Sequence, residues 1–198
     1  MTRRDRLRRV VIVCASFARN LAYYRVGQEP GSSALHAPAH PHASFWRQAN
    51  GNFLDLCVLE WCKLFGERKG EHGWQQIVAD PTAFETGLLA HLGMSATTFN
   101  AHIETMRRYR DKFVAYLDSD AVMQIPTLST AQGSAWFYHA HVVVHEAAAR
   151  DLTGLPDAAA KLAQGYAQCA DEARQVYRRA SADGLQQEMN HYRTPSAR

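Results

Sequence analysis

The sequence has no uninterrupted apolar run approaching the ~20 residues that a membrane-spanning helix requires, so a chain that stays out of the bilayer, in the cytoplasm, is expected. Its four cysteines, Cys14, Cys57, Cys62 and Cys169, include no CxxC pair, which argues against a zinc cage and against a disulfide framework. Cys57 and Cys62 lie five residues apart in a helical pattern and so fall on different faces; reduced, mostly buried thiols are the expectation. Charge of one sign is also scarce. The net charge is +3, and Arg3, Arg4, Arg6, Arg8 and Arg9, opposed only by Asp5, account for it, leaving the rest close to neutral. That excludes a protein that coats nucleic acid with a basic surface and confines any contact with RNA to a local patch. Strand signals are nearly missing as well. Val10 to Val13 and Val142 to Val144 are β-branched, but both sit inside longer runs of helical period.

What remains is an ordinary globular composition, 46% apolar and 21% charged, in a chain of 198 residues, enough for one domain with a sizeable core. Basic residues ahead of Val10 to Ala18 resemble the start of a secretory signal. Arg19 and Asn20 nevertheless continue without a break into Leu21, Ala22, Tyr23 and Tyr24, so the segment reads as a first helix, from near Asp5 to Arg25. Residues 27–42, rich in proline, glycine and serine, read as a flexible loop, and its His36, His40 and His42 as solvated. A second helix is expected from an N-cap at Ser44 to Gly66, a third from Pro81 to Gly93, and a fourth, capped by Ser95, to Asp118. A fifth covers Thr130 to Asp151 and a sixth Pro156 to Ala182, with a tail at 184–198 that is helical or frayed. The expected fold is all-α: a single domain over 1–198, an up-and-down bundle of five to six helices.

The fourth helix breaks its own pattern. Phe99, Ile103, Met106, Phe113 and Leu117 recur at alternating spacings of four and three, and Arg110 fills the gap in that apolar seam. A guanidinium there is costly unless paired. It is therefore either bound to a carboxylate such as Asp111, Glu104 or one from another helix, or part of a site. In α-helical geometry Arg110, Phe113 and Tyr116 form an i, i+3 ridge with Tyr109 beside it, a cation flanked by rings, suited to a phosphate with a base stacked nearby.

The run Arg110-Asp111-Lys112-Phe113-Val114-Ala115-Tyr116-Leu117-Asp118 resembles the signature helix of the HEPN superfamily, in particular its abortive-infection AbiU-type branch. That signature is an arginine, a polar residue and, after a short spacer, an Ala-His pair. The apolar helix Phe53 to Phe65, ending in Leu64-Phe65, is similar to that branch's, and the resemblance spans about Phe45 to Leu128. It implies a metal-independent endoribonuclease without cofactors, belonging to a defence or toxin–antitoxin type system. It also implies a homodimer with the arginines of two subunits in one cleft, RNA as the substrate, and a cognate antitoxin-type protein as a partner. Arg110, Asp111 and Tyr116 would be the catalytic set, and Arg107, Tyr109 and Lys112 the substrate-binding set. Tyr116 stands where the family has histidine. A phenol that titrates near ~10 is a poor proton relay at neutral pH, so a binding or weakened member is expected rather than an efficient nuclease.

A second cluster, His139, His141, His145 and Glu146, lies on the fifth helix. His141 and His145 share a face at i, i+4 and suit one metal ion if His102 or Glu104 supplies a third ligand, the basis of an alternative reading as a metal-binding bundle hydrolase. The competing reading is that of hydrogen-bonded core histidines. A third class, a non-enzymatic helical interaction module, is compatible with the same helices. Trp46, Trp61, Trp74 and Trp136 read as core anchors, and Lys161, Arg174, Arg178 and Arg179 as a solvated face.

Overall fold

The computed structural model describes residues 1–67, 70–115 and 125–193, the side chains of 113–115, 149–150 and 183–193 excepted. All regular elements among them are helical. Eight α-helices are present: α1 (Arg3–Gly27), α2 (Pro30–Ser33), α3 (Ala43–Trp61), α4 (Trp74–Ile77), α5 (Pro81–Leu92), α6 (Ala96–Tyr109), α7 (Leu128–His141) and α8 (Ala159–Arg193). The expected count of five to six falls short because α2 and α4 are single turns, too short to carry a 3.6-residue period. The helix α2 and a 3-10 turn at Ala34–His36 lie within the segment read as a loop.

Local chemistry explains the helix starts. Thr2 and Asp5 form a reciprocal capping box on α1, each side chain accepting from the other's backbone N–H. Asp80 accepts from the Ala83 N–H ahead of Pro81 at the first helical position of α5. Ser95 accepts from the Thr98 N–H at 3.1 Å, as its position in the sequence suggested. Ser44 is not a cap: α3 begins at Ala43, behind His42, whose side chain makes no capping bond.

Helix α1 is the axis of the fold. It packs against α3 on one side and α8 on another, and Val10, Val11, Cys14, Phe17, Leu21 and Ala22 are fully buried. Burying so broad a face is what makes a central helix rather than an amphipathic surface one. Its arginines are spent on the fold: Arg3 donates to the Ile77 carbonyl and pairs with Glu146, and Arg8 donates to the Asp151 and Thr153 carbonyls. The main core continues through Leu54, Val58 and Trp61 of α3, Phe84 and Leu88 of α5, Met106 of α6 and Tyr138 of α7. A smaller cluster joins Ala22, Val26 and Leu35 to Ala170, Ala173 and Tyr177 of α8. Cys14, Cys57 and Cys62 are buried free thiols and Cys169 is a half-buried one. No helix among the described residues is long and apolar enough to cross a membrane.

The end of α1 is tight. A Cβ on Gly27 would fall 2.1 Å from Asn50 Oδ1 and 2.7 Å from the Tyr177 hydroxyl, both on buried side chains. Gly27→Ala is expected to lower stability by about 2 kcal/mol, the overpacking cost outweighing the gain in helix propensity. Gly31→Ala, with open space at its Cβ, is expected to be neutral. Urea denaturation of the two variants checks the contrast.

Candidate functional site

Helices α3, α6 and α7 each end in a π-helical turn, at Cys62–Gly66, Arg110–Ala115 and Val142–Glu146. Such turns are rare and concentrate at functional sites. The first two lie side by side, and the break in the apolar seam at Arg110 coincides with the start of the second. The chain is π-helical over Arg110–Ala115, and the expected 110, 113, 116 ridge rests on the Phe113 side chain and on Tyr116, which lie outside the described residues.

Arg110 is anchored from two sides. Its Nε donates to Asp111 Oδ1 at 2.8 Å and an Nη donates to Glu67 Oε1 at 3.1 Å. The Arg110 side chain is 18% exposed, whereas Asp111 and Glu67 are about half exposed, at 49% and 52%. These bonds, that with Asp111 foremost, hold the guanidinium pKa above its ordinary value. Beneath it, burial pushes the Cys62 thiol up to about 12, Arg110 acting in the opposite sense. Of the alternatives open for Arg110, pairing with Asp111 is observed, while Glu104 is bound by Arg107 at 2.9 Å instead.

The other expected site residues divide. Arg107 is half-buried on the turn before Arg110, and Lys112 is half-buried on the π turn itself. Tyr109 is 3% exposed. Its hydroxyl donates to Asp55 Oδ1 at 2.8 Å, so its ring belongs to the core and is not presented for stacking. Burial raises the pKa of both partners, most directly by desolvating the charged forms. Tyr116, the side chain of Phe113, and Leu117 lie outside the described residues. Sequence reasoning missed Glu67, which sits in a charged turn 43 residues from Arg110 with no spacing to mark it. It also missed Asp55, whose partner Tyr109 is 54 residues away.

His139 does not join the other two histidines of this segment. His139 is fully buried and its Nε2 lies 2.9 Å from the Pro156 carbonyl oxygen, so it donates there as a core histidine. His141 lies 3.2 Å from Glu146 Oε1 and against Phe84, and His145 is exposed beside it, ring centroids 4.9 Å apart. Glu146 is committed to the Arg3 guanidinium and to the Ala79 N–H, 2.8 Å away. His102 packs on Trp61 and Phe99 in the core of α6, away from this group. Among the described residues no group of three or more His, Cys, Asp or Glu side chains is placed to hold a metal ion. The Arg110 cluster, a cation seated on exchangeable carboxylates at a π-helical turn, is the best-formed candidate. No family model matches the chain, and neither the curated proteins nor the solved structures compared with it give a match.

Proposed function

We propose that this chain is a HEPN-like helical protein that binds RNA or a nucleotide-containing ligand at the Arg110 end of α6 and cleaves it poorly or not at all. The observation that supports this reading is the state of Arg110. A guanidinium carries five N–H donors in a planar fork matched to phosphate oxygens. Here it is preorganised by burial of its stem, and among the described residues it is held by Asp111 and Glu67, two half-exposed carboxylates. Ion pairs of that exposure contribute little, about 0–1 kcal/mol, so phosphate oxygens can replace Glu67 at small cost. Arg107 pairs with Glu104 one turn before Arg110, so Arg110 is flanked by charges of both signs, which gives weak, salt-sensitive attraction. The weak-cleavage part rests on the sequence: Tyr116 in the histidine position cannot relay a proton efficiently at neutral pH. In the same reading the Arg110 helices of two copies face one another, and the chain serves a defence or toxin–antitoxin type system in the cytoplasm, with a cognate antitoxin-type protein as partner.

Fluorescence anisotropy with a labelled single-stranded RNA tests the proposal, alongside sedimentation and a cleavage assay in chelator. Arg110→Ala is expected to weaken RNA binding about tenfold, the loss of one charge-assisted phosphate contact. Glu67→Gln, which releases a competing carboxylate, is expected to strengthen it about threefold. A monomer in which Arg110→Ala alters neither affinity nor cleavage overturns the reading.

A further inference from the structure

Next to this cluster, and sharing Arg107 and Glu104 with it, is a pocket of about 360 Å³ between the end of α3, α4, α5 and α6. That is within the size of small-molecule sites, roughly 300–1,000 Å³. Phe65, Phe99 and Ile103 form apolar walls. Trp74, Gln75 and Arg107 add polar groups, and each of the three has a buried polar atom without a hydrogen-bond partner: the Trp74 indole Nε1–H, Gln75 Oε1 and the Arg107 Nε–H. Trp74 is 6% exposed as a residue. Buried donors and acceptors are nearly always paired, and three orphans around one pocket mark a place where a ligand would complete the pairing.

Their chemistry sets the class. Two donors and one acceptor match a group with a carbonyl oxygen beside an N–H. The aromatic walls match a flat ring. Arg107 already has an Nη on Glu104, and the Glu85 carboxylate also lines the pocket, so the site is not electropositive and disfavours an anion.

We propose that this pocket binds a small, uncharged, planar molecule bearing an amide or lactam edge, its carbonyl accepting from Trp74 and Arg107 and its N–H donating to Gln75. Lactam nucleobases such as uracil and aromatic carboxamides both carry that edge. Uracil and benzamide are therefore the probes, and benzoate, isosteric with benzamide but anionic and without an N–H, is the control. The readout is the Trp74 indole N–H resonance in ¹H–¹⁵N NMR spectra, assigned among the four tryptophans by its disappearance in Trp74→Phe. The expected result is saturable shifts with uracil or benzamide, at least tenfold weaker binding of benzoate, loss of binding in Ile103→Trp, which fills the pocket, and about tenfold weakening in Gln75→Leu. Whichever of uracil and benzamide binds more tightly distinguishes the two sources. No shift with either probe, equal affinity for benzoate, or full affinity in a folded Gln75→Leu overturns the proposal. Neither probe contains phosphate, and Arg110 does not line the pocket, so this outcome is separate from that of the RNA experiment.

Discussion

Trp61→Ala is expected to lower the unfolding free energy by about 4 kcal/mol, the sum of lost transfer energy and an unfilled cavity. Trp61 is fully buried. It stacks on Phe65 with centroids 5.1 Å apart, meets Phe99 and His102 edge-on, and donates from its indole nitrogen to Ser134 Oγ at 2.9 Å. Against a total stability of roughly 5–15 kcal/mol the variant would be marginal at 37 °C. Trp61→Phe keeps most of the ring, and Ser134 retains carbonyls at Thr130 and Ala131 for its own hydroxyl, so about 1–2 kcal/mol is expected there. Urea unfolding followed by circular dichroism reads both. A loss below ~1.5 kcal/mol for the alanine variant would mean that Trp61 does not anchor the core as described.

The second large effect is one of pH. His102 lies between Trp61 and Phe99 with its Nε2 buried and unpartnered, and burial pushes its pKa down to about 4. In the unfolded chain the ordinary value, about 6.5, applies. Below that pH the unfolded state takes up a proton that the folded state refuses, so this stabilisation is complete above pH ~6.5 and is lost as the pH falls toward ~4. The loss attributable to His102 is about 2 kcal/mol, less than the full shift implies because the ring is partly solvated. His102→Phe removes the titration and an unpaired polar atom, and it should be no less stable than the parent at pH 7.5 and clearly more stable at pH 4.5. Equal pH dependence of the urea midpoint in parent and variant would refute this. Burial depresses His139 in the same direction, so a residual slope is expected to survive the substitution.

Helical class, the span of α1, Pro81 at the first position of α5 and the cap at Ser95 could be read from the chain because they depend on neighbours within a few residues. The β-branched Val10 to Val13 and Val142 to Val144 were correctly assigned to helices by the length of the surrounding period. Single turns at Pro30–Ser33 and Trp74–Ile77 could not be found this way, since a turn of four residues has no periodicity to detect. At the site, Arg110 was legible as a cation in an apolar seam, but its partner Glu67 was not. Nor was the commitment of Tyr109 to Asp55, which turns an expected stacking surface into core. Both contacts join distant parts of the chain, 43 and 54 residues apart, and no local residue pattern announces them.

The central place of α1 also governs when the fold can close. Helices α3 and α8, which cover its two sides, are separated by about half of the chain, and the contacts that seal it, such as Tyr23 with Glu172 and Glu29 with Arg174, span 149 and 145 residues. Such long-range closure slows folding. During synthesis α1 emerges long before α8, so a ribosome stalled between the two would hold a chain in which the side of α1 that α8 covers is exposed.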